Sequence, residues 1–122
     1  MDTFLIFAAM LMVYMYGLFF YFYKLSKDKK QKNSAMMVRA ITHFRSKNFE
    51  QAQYFLEVVY NEAMKSEDLY FAAESLYYLA LVNIEQKDSQ TALQFLEESF
   101  DYYKQLEDEE GIQKTQDLMI KL

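Results

Sequence analysis

Acid–base chemistry in this chain would have to begin at His43, its one histidine. An imidazole acts as a general base when a nucleophile or an orienting carboxylate stands within hydrogen-bond reach. The 122 residues contain no cysteine and no nucleophile motif, so the expected role of His43 is structural or on the surface. A second candidate is the stretch LEDEEG, Leu106 to Gly111, with four consecutive carboxylates. Loops for hard cations alternate their oxygen ligands and set a turn-forming glycine among them. That spacing is missing here, and Glu107 to Glu110 better suit the positive start of a following helix. Glu97, Glu98 and Asp101 read as an exposed helix face, and contiguous carboxylates on one helix do not make the facing pair of glycoside chemistry. Gly17 and Gly111, the two glycines, cannot form a phosphate-cradling loop. No catalytic residue, metal site, cofactor or small-molecule substrate is therefore expected.

The elements that carry these residues follow from composition. With no proline, two glycines, 11 tyrosines and 11 phenylalanines, the usual punctuation of turns and strands is absent. Long helices joined by short polar turns follow, and the expected fold class is all-α. The length allows one domain and one anchor, and the lack of cysteine excludes disulfides. The formal charge of −5 hides a gradient. Residues 24 to 32 hold five lysines and one aspartate, whereas residues 33 to 122 hold eight basic and sixteen acidic side chains. An acidic body lacks the Lys and Arg that release counterions from phosphates, so no nucleic-acid partner is expected.

From Phe4 to Tyr23 run twenty residues without a formal charge. As a helix they span about 30 Å, the thickness of a bilayer hydrocarbon core. A secretory signal would have a positive start, a shorter apolar run and small residues at a cleavage site; this stretch starts with Asp2 and ends in bulky aromatics. An interfacial helix needs a polar face, and none is present beyond tyrosine hydroxyls. Tyr21 and Tyr23 fall at headgroup level, and Lys24, Lys27, Lys29 and Lys30 follow, as in an aromatic belt with positive residues inside. The lysines also suit anionic headgroups. The expectation is a single-pass protein with its N-terminus out and its acidic domain on the cytoplasmic side, or the equivalent stromal or matrix side. Residues 1–32 form anchor and collar, and residues 33–122 the domain.

The domain repeats. Shifting residues 35 to 82 by 40 places matches Ala40 with Ala80, Lys47 with Lys87, Ala52 with Ala92, Phe55 with Phe95, Leu56 with Leu96, Glu57 with Glu97, Glu67 with Glu107 and Asp68 with Asp108. Apolar type also agrees at Ile41 with Leu81, Phe44 with Ile84 and Tyr60 with Phe100. Two copies of one helical hairpin explain this. Alanines at Ala40 with Ala52, and Ala80 with Ala92, let paired helices approach closely. Expected helices cover about residues 34–46, 49–66, 68–86, 89–106 and 110–121, with Asn48 and Asp88 as N-caps of the second and fourth. The last, GIQKTQDLMIKL, reads as a solvating cap. About two and a half hairpins are few for a continuous core, so support from a partner, from self-association or from packing beside the membrane is expected.

The units SKNFEQAQYFLE and QKDSQTALQFLE resemble the turn and second helix of a tetratricopeptide (TPR) repeat. Ala40, Phe49, Ala52 and Leu56 fit its pattern in the first copy, as do Ala80, Ala92 and Leu96 in the second, where Ser89 replaces the aromatic. Lys47 and Lys87 stand where that family often has glycine. The 40-residue period is similar to the longer form of the repeat. The resemblance implies a short α-solenoid whose concave face is lined by the first helix of each hairpin, with Met37, Ile41 and Phe44 in one copy and Tyr77, Leu81 and Ile84 in the next. Met37 and Ile41 are unlike the Lys and Asn with which TPR modules clamp chaperone tails, so an apolar helix or extended segment is the expected ligand. Tyr77, Tyr78, Tyr102 and Tyr103 are further anchors, since tyrosine joins apolar area to a wet hydroxyl.

The expected function is a membrane-anchored adaptor that binds subunits or intermediates of a membrane complex during assembly. An anchor followed by a TPR array is similar in architecture and composition to TPR assembly factors of photosystem I in thylakoid membranes. The alternatives are a permanent small subunit of such a complex and an organelle import or fission receptor.

Overall fold

A computed structural model of the chain describes residues 2–122, with Ser26 and Lys29 described in their backbone alone. It contains five helices, α1 (Asp2–Arg45), α2 (Phe49–Lys65), α3 (Leu69–Glu85), α4 (Ser89–Gln105) and α5 (Glu109–Lys121), and no strand among the described residues. Contacts divide the chain into two units, Met1–Lys32 and Asn33–Leu122.

In the first unit, α1 is long and apolar enough to cross a membrane, and none of its most apolar stretch is buried. Phe4 is 77% exposed and Phe19 72%. No separate helix begins near residue 34, because α1 runs through the collar without a break. The physical reason is local: Lys24 to Asn33 contains no Gly or Pro, and lysine, leucine and glutamine are good helix formers.

In the second unit, the four connections are each three residues long and built alike. Lys47, Glu67, Lys87 and Glu107, at intervals of 20 residues, take φ of 62°, 57°, 63° and 56°. Glu67 donates its N–H to the Met64 carbonyl at 3.4 Å, and Asp68 donates to the Ala63 carbonyl at 2.8 Å. These are the paired bonds of a Schellman C-cap, in which the left-handed residue is usually glycine. The residue that completes this cap is also the N-cap of the next helix. The carboxylates of Asp68, Asp88 and Asp108 accept from the N–H of Phe71, Thr91 and Gly111 at 3.3, 3.1 and 3.2 Å. Asn48 does not act as expected, since its side chain makes no cap bond. The repeat is thus finer than the 40-residue match: a left-handed residue recurs every 20 residues before each helix from α2 onward, and the aspartate cap from α3 onward.

Such short turns make successive helices antiparallel neighbours, and α2 packs on α3, α3 on α4 and α4 on α5. Alternate helices also meet. Phe44 on α1 lies 6.1 Å from Tyr78 on α3, ring to ring, and Lys114 on α5 pairs with Glu74 on α3 at 2.5 Å. On the other side, the Tyr60 hydroxyl of α2 donates to Glu98 of α4 at 2.8 Å. The odd helices, from Asn33 onward, form one layer and the even helices a second.

Between the layers lies the core. Ala40, Ala52, Leu56, Val59, Leu76 and Val82 belong to one cluster, and Ala80, Ala92 and Leu96 to another that Leu118 and Met119 of α5 cover. The four alanines of the repeat are fully buried, each pair within one cluster. Ser99 donates across the layers to the Ala73 carbonyl at 2.8 Å, and every buried polar side-chain atom among the described residues has a partner. Because α3 is flanked on both sides, it is apolar nearly all round, as a central helix must be.

Candidate interaction surface

The residues expected to bind a partner separate into three groups. Met37, 6% exposed, and Tyr103, fully buried, lie in the core and offer no contact area. Their expected role as surface anchors is corrected by packing. Met37 joins the first cluster, and the Tyr103 ring lies where any Cβ on Gly111 would have to sit. Gly111 is thus a buried packing glycine in the first turn of α5 rather than a turn residue.

The second group is drawn into a half-buried aromatic seam on the odd layer. Phe44 stands 5.8 Å from Phe49 and 6.1 Å from Tyr78, and Tyr78 stands edge-on to Tyr77 at 5.6 Å. Ile41 and Leu81 are half-buried on the same two helices. His43, on α1, stacks on Phe55 at 5.5 Å with the rings almost parallel.

Tyr102 belongs elsewhere, on the even layer. Its hydroxyl and that of Tyr60 both donate to the Glu98 carboxylate, at 3.3 and 2.8 Å. Burial first, and then this carboxylate, push the Tyr60 hydroxyl well above its ordinary pKa. Tyr60 stays a protonated donor and ties α2 to α4, whereas the Tyr102 bond to Glu98 lies within α4.

The seam ends in a polar cluster that joins α3, α4 and α5. Glu74 accepts from the buried Tyr103 hydroxyl and from the Lys114 ammonium. Lys114 also lies 4.6 Å from the centre of the Tyr77 ring and 5.2 Å from that of Tyr103, within the range of a cation–π contact. Desolvation and then Glu74 raise the Tyr103 pKa, so this hydroxyl remains a donor at any physiological pH. The Tyr70 hydroxyl is raised first by the Glu74 carboxylate and then by burial, with Asp108 and Glu110 adding. Tyr77 is raised by burial first, with Glu74 and Asp117 adding and Lys114 opposing.

Exposed apolar or aromatic side chains of the odd layer that no sequence motif marks include Val38 on α1, Tyr70 on α3 and Ile120 on α5. Tyr70, Glu74 and Tyr77 lie at i, i+4 and i+7, so the helical period places them on one stripe. That spacing was available in the sequence once Tyr77 had been chosen. Lys114 was not, because its partner lies 40 residues away.

In the first unit, Phe20, Tyr23, Lys24, Lys27, Asp28 and Gln31 line one face of the helix. This brings together three of the expected membrane-interface residues. Tyr21 and Lys30 are exposed outside that set, and the side chain of Lys29 lies outside the described residues. No group of histidine, cysteine or carboxylate side chains with metal-binding geometry occurs among the described residues.

No family model matches this chain, and neither does any curated protein or solved structure.

Proposed function

We propose that the chain is a membrane-anchored, TPR-like adaptor that holds protein subunits or intermediates of a membrane complex during assembly. The observation that carries this reading is a pairing within one chain. An acidic array stacks hairpin on hairpin and leaves a tyrosine-bearing helix face open, and it is joined to a charge-free apolar stretch that nothing in its own unit covers. Helix faces of this kind bind extended or helical segments of other proteins, and an uncovered 30 Å apolar helix belongs in a bilayer. The positive collar favours an orientation with the array on the cytoplasmic or stromal side. Assembly of a photosynthetic complex is the narrower form of the proposal and rests on architecture and composition.

The test uses the full chain in native membranes. Alkaline washing should leave the protein in the membrane fraction, and gentle solubilisation followed by pull-down should recover incomplete forms of one complex. Val38→Ser with Tyr70→Ala, both at exposed positions, should release those partners without unfolding the array. Recovery of only mature, equimolar subunits would favour a permanent subunit instead. Release from the membrane by alkali, or capture of no partner, would overturn the proposal.

A further inference from the structure

We infer that the tyrosine stripe of α3, with α5 beside it, is a docking surface for a lysine- and arginine-rich segment of a partner protein. This rests on the adaptor reading and adds the chemistry of the partner. The surface is open, with Tyr70 47% exposed, Tyr77 half-buried, and Glu110 and Asp117 exposed on α5.

How this face holds an ammonium is displayed by the chain itself. Lys114 sets its Nζ 2.5 Å from a Glu74 oxygen and 4.6 Å from the Tyr77 ring centre, so carboxylate and aryl face act on one cation together. Beyond Glu74, α5 beside the stripe carries exposed Glu110 and Asp117, the latter accepting from Gln113, and Asp108 caps its start; all three help raise the Tyr70 or Tyr77 pKa. The stripe is thus richer in negative charge than Lys114 alone neutralises. A cation arriving over Tyr70 would find a ring for its stem and carboxylates for its head, the pairing that favours Lys and Arg. An acidic tail would be repelled by the same groups. Membrane proteins supply such segments, because their cytoplasmic loops are enriched in Lys and Arg, on the side to which the collar directs this array.

The even layer provides a control. It is also acidic, through exposed Glu57 and Glu97, and Lys104 lies 5.4 Å from the centre of the Phe100 ring, but no carboxylate shares that ammonium. Full-length protein in detergent micelles would be titrated with a fluorescent peptide alternating lysine and serine, and with its glutamate counterpart, at physiological salt. The lysine peptide should bind and the glutamate peptide should not. Tyr70→Ala with Asp117→Asn should raise the Kd about tenfold, the loss of one ring contact and one charge-assisted bond. Glu57→Gln with Glu97→Gln should change it by under about twofold, as for exposed charges that share no ammonium with a ring. Equal losses in the two double variants would reduce the effect to diffuse charge and overturn the inference, as would binding of the glutamate peptide or of neither. Should native partners still co-purify while the lysine peptide fails to bind, this inference falls and the adaptor reading stands.

Discussion

Residues 4–23 of α1 and the whole of α3 are both strongly apolar helices, yet one buries nothing and the other is buried on most sides. The difference lies in which residues sit among the large ones. In α3, Ala72, Ala73, Ser75 and Ala80 are fully buried between Leu76, Leu79 and Val82, so neighbouring helices come close enough to cover its apolar area. The early part of α1 has only Ala8, Ala9 and Gly17 amid bulky aromatic and aliphatic side chains. The two glycines repeat the contrast: a Cβ on Gly17 would meet nothing, and one on Gly111 would overlap the Tyr103 ring. Apolar character sets how much surface must leave water. Small residues at the right period decide whether neighbouring helices can cover it.

The comparison breaks most sharply through charge in α1. Leu11→Arg with Phe19→Arg should cost about 5 kcal/mol of membrane insertion, read as loss from the alkali-resistant fraction, with the melting of the array unchanged. The converse change is Leu76→Ala, at a site 1% exposed between the layers. It should lower stability by about 3 kcal/mol in chemical denaturation while leaving membrane retention as it was. Gly111→Ala should cost about 2 kcal/mol, because the Tyr103 ring must move from a closely packed site; Gly17→Ala should be silent in the same melt.

The turns give smaller effects. Asp68→Ala should cost about 1 kcal/mol through the lost cap, whereas Asn48→Ala, which removes no cap bond, should be near neutral. The hydrogen bonds from Thr91 hold the Asp88 carboxyl below its ordinary pKa. Its contribution is therefore present above the usual carboxylate range and fades as pH falls through the lowered value. An acid melt of Asp88→Asn should show a weaker loss on that limb. Smallest of all, Lys87→Gly should stabilise by about 0.5 kcal/mol, since glycine meets a left-handed φ without the Cβ penalty but carries more unfolded-state entropy.

Much of this was legible because it is written locally. The helix bounds of α2 to α5 fall within a residue or so of those read from the 40-residue match, since each boundary is made by adjacent residues such as Ser66, Glu67 and Asp68. The charge-free run from Phe4 to Tyr23 needed only counting. The capping roles of Asp68 and Asp108 are also local, although the 40-residue match pairs these two aspartates without marking them as helix starts. The burial of Met37 and Tyr103 was not local. Tyr103 continues the buried stripe of Ala92, Leu96 and Ser99 at helical spacing, which Tyr102 does not, but the room its ring occupies is left by Gly111 on the next helix.

By itself, the sequence determined that the chain is helical, where its turns fall, and that an apolar helix precedes an acidic repeat, because these depend on residues within a few positions of one another. Tertiary structure decided how the core tyrosine is accommodated, with the Tyr103 ring lying against Gly111 of the next helix. It also decided that Lys114 closes on Glu74 and that alternate helices form two layers. Those outcomes join side chains up to 40 residues apart, and contacts at that range are chosen by how whole helices pack, which no short window of sequence contains.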